Sequence, residues 1–504
     1  MPSGGPACIT CREKCRKCDR AQPACRRCIS KGLECKGYPE KFRFAGLATR
    51  GKWKGQAVPT AGRSVFQTQL ANDAPKTKQE LNTQRASAIL VNPDNGLCHS
   101  VTDHPLSSRG RTVELDDLLM LERTELLLAH YDREICPHQI ALPTDDADNP
   151  YRLYILPLAY EQIGLLYAVL GLTACHIGIK KDDAYLRDTL AVEYQARAIR
   201  CLGETLQNGI SGELGENERD GIFATIQILL LQDIFETGIS THGIHITGAL
   251  SICNQLRLSD ILTEDHERTI FFLGNLAWLD IIRSLADPQK LCFSPALRET
   301  IANLSDLKFE QVNGCPREVF LIIGTVLEHA KAHETGYIDT PQYERLLNAA
   351  RYDLHTWRLL PGVYPNDHSR WPAIAEAFRH ACILHTSRLL DLYQPAEATM
   401  IQTSVTAILD AIAEIPPDCH LIELLVMPLF MAGTDALSSY ARHYVLLRLE
   451  HIKVRAGFGH PTPISLLQSV WDARGKQAKD DNRNVPWMSF TRTGSDRQHD
   501  YLII

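Results

Sequence analysis

The 504-residue chain has no apolar stretch near its N-terminus, no alternating strand pattern in its body, no sustained heptad repeat across residues 55–112 and no catalytic fingerprint. The first absence argues against secretion, so its sixteen cysteines are expected as thiols in a reducing, intracellular setting rather than as a disulfide framework. Without G-x-S-x-G, a P-loop or a dinucleotide fingerprint, the common hydrolase, nucleotidase and dehydrogenase readings have no starting point. The apolar run IFATIQILLLQDIF at 222–235 carries polar residues and stops short of a membrane span, so no membrane partner is expected.

What the chain does have is concentrated at its start. Cys8, Cys11 and Cys18 read C-x2-C-x6-C, and the same spacing recurs 17 residues later at Cys25, Cys28 and Cys35. Each C-x2-C pair lets two sulfurs of one turn converge on an ion, which is a metal-site signature. Six thiolates cannot fill two separate tetrahedral zinc sites, which need eight ligands. Two bridging thiolates shared by two zinc ions resolve the count. A single zinc on Cys8, Cys11, Cys25 and Cys28 is the alternative, but it leaves the repeated third thiol of each half idle.

Charge is as uneven as the cysteines. Residues 1–56 carry 14 Lys plus Arg against 4 Asp plus Glu, whereas the whole chain has 53 against 60. By subtraction the remainder holds 39 basic and 56 acidic residues, about 17 net negative charges. A basic head on an acidic body points to a polyanionic partner, nucleic acid, for the head.

The run ACITCREKCRKCDRAQPACRRCISKGLECKGYP, residues 7–39, resembles the binuclear zinc-cluster DNA-binding domain of fungal transcription factors. The match takes in every metal position, the basic segment after Cys11, Asp19 after Cys18, Pro23 in the connecting loop and Gly32 before Cys35. The resemblance implies one zinc on Cys8, Cys11, Cys18 and Cys25 and a second on Cys25, Cys28, Cys35 and Cys8, with Cys8 and Cys25 as bridges. It also implies double-stranded DNA as partner, a helix Arg12 to Lys17 in the major groove and a nuclear location. Cys15 stands where the family usually has Lys, Arg or His. It is read as a neutral surface thiol, with ligand exchange and redox sensing as alternatives. Lys14 is then the expected base reader, and Arg12, Arg16 and Lys17 the phosphate contacts.

Residues 1–45 are thus the zinc-cluster domain, and 46–112 a basic, then polar, flexible linker. The basic tract within 36–54 fits either phosphate tracking or nuclear import. Pro75 interrupts the only stretch where a dimerising coiled coil could sit, so any homodimer is expected through the body. Residues 113–477 are expected to be all-helical. Leu190, Ala191, Tyr194, Ala198, Cys201 and Leu202 form one stripe, and Tyr343, Leu346, Leu347, Ala350, Leu354 and Trp357 another, the latter capped by Thr340 with Pro341 first in the helix. Residues 478–504 are set apart as a C-terminal tail.

YDREICP, NPYRLYILPLA and LLYAVLGLTACHI, between Tyr131 and Ile177, resemble the opening of the fungal-specific transcription factor regulatory domain, and HITGALSI and PLFMAGTDAL its later segments. That likeness implies a mainly helical regulatory module, without shared catalysis, controlled by ligands or partner proteins such as transcriptional co-regulators. His329 and His333 are spaced as in a zinc-protease helix, but Ala330 occupies the position of the catalytic Glu. His242 with His245, and His380 with His385, are expected to be structural. The expected function is regulation of RNA polymerase II transcription by a sequence-specific DNA-binding protein that is not an enzyme. The alternative is a zinc-cluster cofactor working mainly through protein contacts. An apolar effector pocket within the body is a further possibility.

Overall fold

A computed structural model describes residues 10–11, 14, 16–19, 21, 24–33, 35 and 108–504, apart from 142–147, 212–213, 241–242, 306–307, 360–367, 458, 479–480 and 492–498. Cys8, Arg12, Cys15 and linker residues 46–107 lie outside the described residues. The chain divides into two compact units, Met1–Thr102 and Asp103–Ile504. In the first, helix α1 spans Arg26–Ser30.

The second unit is mainly α. Its first described helix, Ser108–Leu119, starts five residues ahead of the expected boundary at residue 113. The layers build from α2 (Ile163–Lys181), α3 (Ala191–Ser211), α4 (Glu216–Glu236), α5 (Glu267–Ala286), α6 (Arg317–Glu334), α7 (Thr340–Thr356), α8 (Trp371–Leu390), α9 (Thr399–Ala413), α10 (Val426–Thr434) and α11 (Ser439–Ala456). Helix α2 packs on α3 and α4, α5 bridges α4 to α6, and α6 to α9 continue as neighbours in chain order. Helix α10 closes this half against α8, α9 and α11.

Two segments, Ile163–Lys181 and Glu264–Ala286, are long and apolar enough to cross a membrane, a feature the run at 222–235 did not anticipate. The body encloses both: 72% and 100% of the two apolar windows are buried. Helix α5 is buried along its length, each residue from Thr269 to Ala286 included, with Asp280 and Arg283 paired inside at 2.8 Å. Each Leu, Ile or Phe so enclosed contributes roughly 1.5–3 kcal/mol of transfer free energy.

Both expected stripes face this core. Leu190, Ala191, Tyr194, Ala198 and Leu202 are buried with Cys201 half-buried beside them, and Tyr343, Leu347, Ala350 and Leu354 are buried with Leu346 and Trp357 partly so. The cap of α7 differs by one residue. Asp339, with extended backbone, accepts the Gln342 N–H at 2.8 Å, and Thr340 is already helical. A carboxylate at a helix N-terminus adds a favourable dipole interaction to the hydrogen bond.

Residues 478–504 are not a detached tail. Strand β2 (Asp500–Tyr501) pairs antiparallel with β1 (Ile239–Ser240), with Ile239 opposite Tyr501, the one sheet among the described residues. Tyr501, Leu502 and Ile503 are buried, and Trp487 meets Phe430 edge-on at 5.0 Å. Asp500 is clamped by half-buried Lys290 at 2.8 Å and by buried Arg283 at 3.5 Å. The apolar side chains and the ion pair fix the segment to the core.

Candidate metal centre and nucleic-acid interface

Cys25 is the N-cap of α1. Its backbone is extended and its Sγ accepts the Cys28 N–H at 3.3 Å, so the C-x2-C turn folds its two sulfurs to one side. Cys11 arrives from an earlier turn, its Sγ 3.7 Å from that of Cys25 and 3.9 Å from that of Cys28. A zinc ion with Zn–S bonds of about 2.3 Å sets its tetrahedral sulfurs about 3.8 Å apart, so the spacing suits an ion, although the expected ligand sets place Cys11 and Cys28 on different ions and here they fall in one group. All three thiols are fully buried. Cys18 and the Asp19 carboxylate form a second group with Cys25. Cys25 thus belongs to both groups.

The end of α1 explains how Cys35 returns. Gly32 has φ +60°, its N–H reaches the Ile29 carbonyl at 3.1 Å, and the Leu33 N–H reaches that of Cys28 at 2.9 Å. This pair of bonds around a left-handed residue reverses the chain, a conformation glycine adopts without strain. Cys35 and Leu33, both half-buried, then pack against the three buried cysteines. Asp19 accepts the Arg26 N–H at 3.1 Å, tying the two halves of the repeat together. The Arg27 guanidinium lies 3.6 Å from the Cys11 sulfur, where it offsets thiolate charge. Sequence reasoning assigned neither contact; Arg27 was one basic residue among many.

Lys14, Arg16 and Lys17 are exposed, as DNA contacts must be. The expected helix Arg12 to Lys17 is shorter than its forecast. The Lys14 N–H points to the Thr10 carbonyl at 3.4 Å and that of Arg16 to Cys11 at 2.9 Å, but residues 16–19 are not helical. The chain leaves the helix there to bring Cys18 back beside Cys25.

Among the described residues, the groups of three or more His, Cys, Asp or Glu close enough to share an ion lie in the head. In the body, His333 stacks on Tyr343 with ring centroids 4.3 Å apart and lies 3.2 Å from Thr340 Oγ1. His329 is half-buried, and burial lowers its pKa. His380 Nε2 meets the Arg379 guanidinium at 2.9 Å and its pKa falls to about 4, through burial and then that neighbouring charge. His385 is buried, and His242 lies outside the described residues.

Residues 125–504 match the fungal specific transcription factor domain, three quarters of the chain. Residues 6–44 match the fungal Zn(2)-Cys(6) binuclear cluster domain. The chain belongs to the fungal-specific transcription factor family. By family it is a transcription regulator and not an enzyme, and its head matches a binuclear cluster that binds two zinc ions. Among curated relatives it is similar to pestheic acid cluster transcriptional regulator 3 of Pestalotiopsis fici, 22% identical over 63% of this chain and 65% of the relative. It is likewise similar to an uncharacterized transcriptional regulatory protein of Schizosaccharomyces pombe, 22% identical over 65% of this chain and 63% of the relative. The alignments thus span just under two thirds of either relative. No solved structure matches the chain.

Proposed function

We propose that this regulator is a nuclear protein that binds specific DNA sequences and controls RNA polymerase II transcription. Cys8, Cys11, Cys18, Cys25, Cys28 and Cys35 hold the two zinc ions, with Cys8 and Cys25 bridging. Lys14 reads bases, while Arg12, Arg16 and Lys17 grip phosphates. The observation that supports this reading is the membership of Cys25 in two groups of possible metal ligands, flanked by exposed basic residues on the Cys11–Cys18 segment. A shared thiolate makes the fold of the basic segment conditional on both ions.

The helical body supplies contacts to co-regulators and to a second copy of the chain. On α11, Tyr440, Leu447 and Val454 are 80%, 43% and 75% exposed at seven-residue spacing, an apolar row of the kind that pairs helices. Sedimentation of the full chain and of Leu447→Lys checks the pairing: the wild type should dimerise and the variant should not.

Selection of the zinc-loaded full chain against a random DNA pool tests the DNA reading. Enrichment of one short motif, lost on chelation, is expected. A pool that stays random while co-regulators are still captured would favour a cofactor acting through protein contacts.

A further inference from the structure

The outer face of α11 is its own complement when reversed. Successive residues of a helix turn by about 100°, so Tyr440, His443, Leu447, Glu450 and Val454 fall within a strip about 80° wide. All five are exposed, while Val445, Arg448, Leu449, Ile452 and Ala456 are buried on the opposite side of the same helix. Along the axis the strip runs apolar, imidazole, apolar, carboxylate, apolar. Turned end for end against itself, it sets apolar on apolar and imidazole on carboxylate. A twofold axis makes that demand, because each copy must then meet the identical patch of the other.

Charge fixes the direction of the pairing. Glu450 already has Lys453 at 3.2 Å, one turn along the helix, but both side chains are 53% exposed and the carboxylate stays open to a further donor. In a parallel pair Glu450 faces the partner's Glu450 and His443 faces the partner's His443, so like groups stand opposite each other. In an antiparallel pair centred on Leu447, Tyr440 meets the partner's Val454. His443 then falls within one residue, about 1.5 Å along the axis, of the partner's Glu450, and the contact occurs twice.

We propose that two copies of the chain pair antiparallel through α11, with Leu447 on the twofold axis, Tyr440 against the partner's Val454 and His443 donating to the partner's Glu450. The inference rests on the reading that α11 pairs two copies, and adds the direction and register of that contact. Helix α11 has 18 residues and is therefore about 27 Å long. So short a contact makes a dimer that depends on concentration.

Sedimentation equilibrium of the zinc-loaded full chain separates the two levels, and every substitution lies at an exposed position that the fold does not need. His443→Glu and Glu450→Lys should each weaken the dimer about tenfold, since either change costs both equivalent contacts. The double variant His443→Glu/Glu450→Lys should recover to within about threefold of the wild type, because carboxylate and cation have only changed places. In a parallel pair the same double variant sets Glu on Glu and Lys on Lys, and stays weak. With p-benzoylphenylalanine in place of Tyr440, irradiation should cross-link the dimer to a partner peptide that contains Val454. A double variant that does not recover, or a cross-link to the partner's own position 440, would overturn the antiparallel pairing and leave a dimer through α11 standing. A wild type that stays monomeric, or a dimer indifferent to Leu447→Lys, would remove the α11 reading itself and this inference with it.

Discussion

The head and the body of this regulator fold for different reasons. In the described part of the head, the buried apolar residues are cysteines, Cys11, Cys25 and Cys28, with Cys18, Leu33 and Cys35 packed around them. The body has a continuous core that runs from Leu115 to Ile503 and takes in most of α5 from Ile270 onward. A segment of about 35 residues buries too little surface to fold alone, so its core is the metal. The body has no such need. The contrast teaches that one chain can carry two independent sources of stability, one chemical and one solvophobic, each removable without the other.

Removing zinc breaks the comparison most sharply. Structural zinc supplies apparent binding energies on the order of 10–16 kcal/mol in small zinc domains. A chelator should therefore abolish DNA binding while far-UV circular dichroism keeps the helical signal of the body. Joint loss of both signals would show that the two units are not independent. Within the head, Cys25→Ala should release both ions, whereas Cys15→Ser should leave two per chain in native mass spectra.

The converse experiment strikes the body. Leu229 on α4 is fully buried, and Leu229→Ala should lower the stability of the body by about 2–5 kcal/mol through lost transfer energy and the cavity left behind. The zinc content of the variant should remain two, and a drop would contradict the separation.

Acid should sharpen the contrast further. Burial, and then neighbouring His130, lowers the pKa of His176 to about 4, and burial does the same to His460. Groups whose folded pKa lies below the unfolded value near 6.5 bind fewer protons when folded. Their contribution is intact above about pH 6.5 and is lost as pH falls toward 4. Each is worth at most about 3 kcal/mol. Denaturant midpoints of the body, followed by near-UV circular dichroism, should fall between pH 7 and pH 4.5, and less so in His460→Asn. A flat profile would remove these histidines from the account.

The smallest effect is confined to the surface of the head. Lys14→Ala should cost roughly 1–3 kcal/mol on the best DNA site and relax sequence preference, while Lys17→Ala should weaken all sequences about equally and flatten the salt dependence. Equal effects of the two substitutions on all sequences would remove Lys14 from base reading.

The two regions also differed in how readily the sequence disclosed them. Metal spacing is local: Cys25 and Cys28 are joined by one turn, and the 17-residue repeat is visible without any knowledge of packing. Helical stripes such as Tyr343 to Leu354 are local as well, since a single period places them on one face. The misreadings share a non-local cause. Residues 16–19 leave the helix because Cys18 must reach Cys25, and Asp339 outcompetes Thr340 as the cap through its carboxylate geometry. The final segment was mistaken for a tail because a two-residue strand has no period of its own, and its partner lies at residues 239–240. A cavity of the body lined by Gln227, Trp278, Asn313 and His420 left no trace in the sequence, because these residues come from four separate elements.

The pairing of β1 with β2 sets a schedule for the birth of the protein. Ser240 faces Asp500, 260 residues further along the chain. At synthesis rates of about 5–20 residues per second, β1 emerges roughly 13–50 s before its partner exists. Over that interval the edge of β1, the Arg283 and Lys290 side chains and the surface later covered by Tyr501 to Ile503 wait exposed on the nascent chain. The zinc head, complete within its first few dozen residues, can take up metal long before. A ribosome that stalls before residue 500 would release a chain whose zinc-binding repeat is finished but whose body lacks the partner of β1.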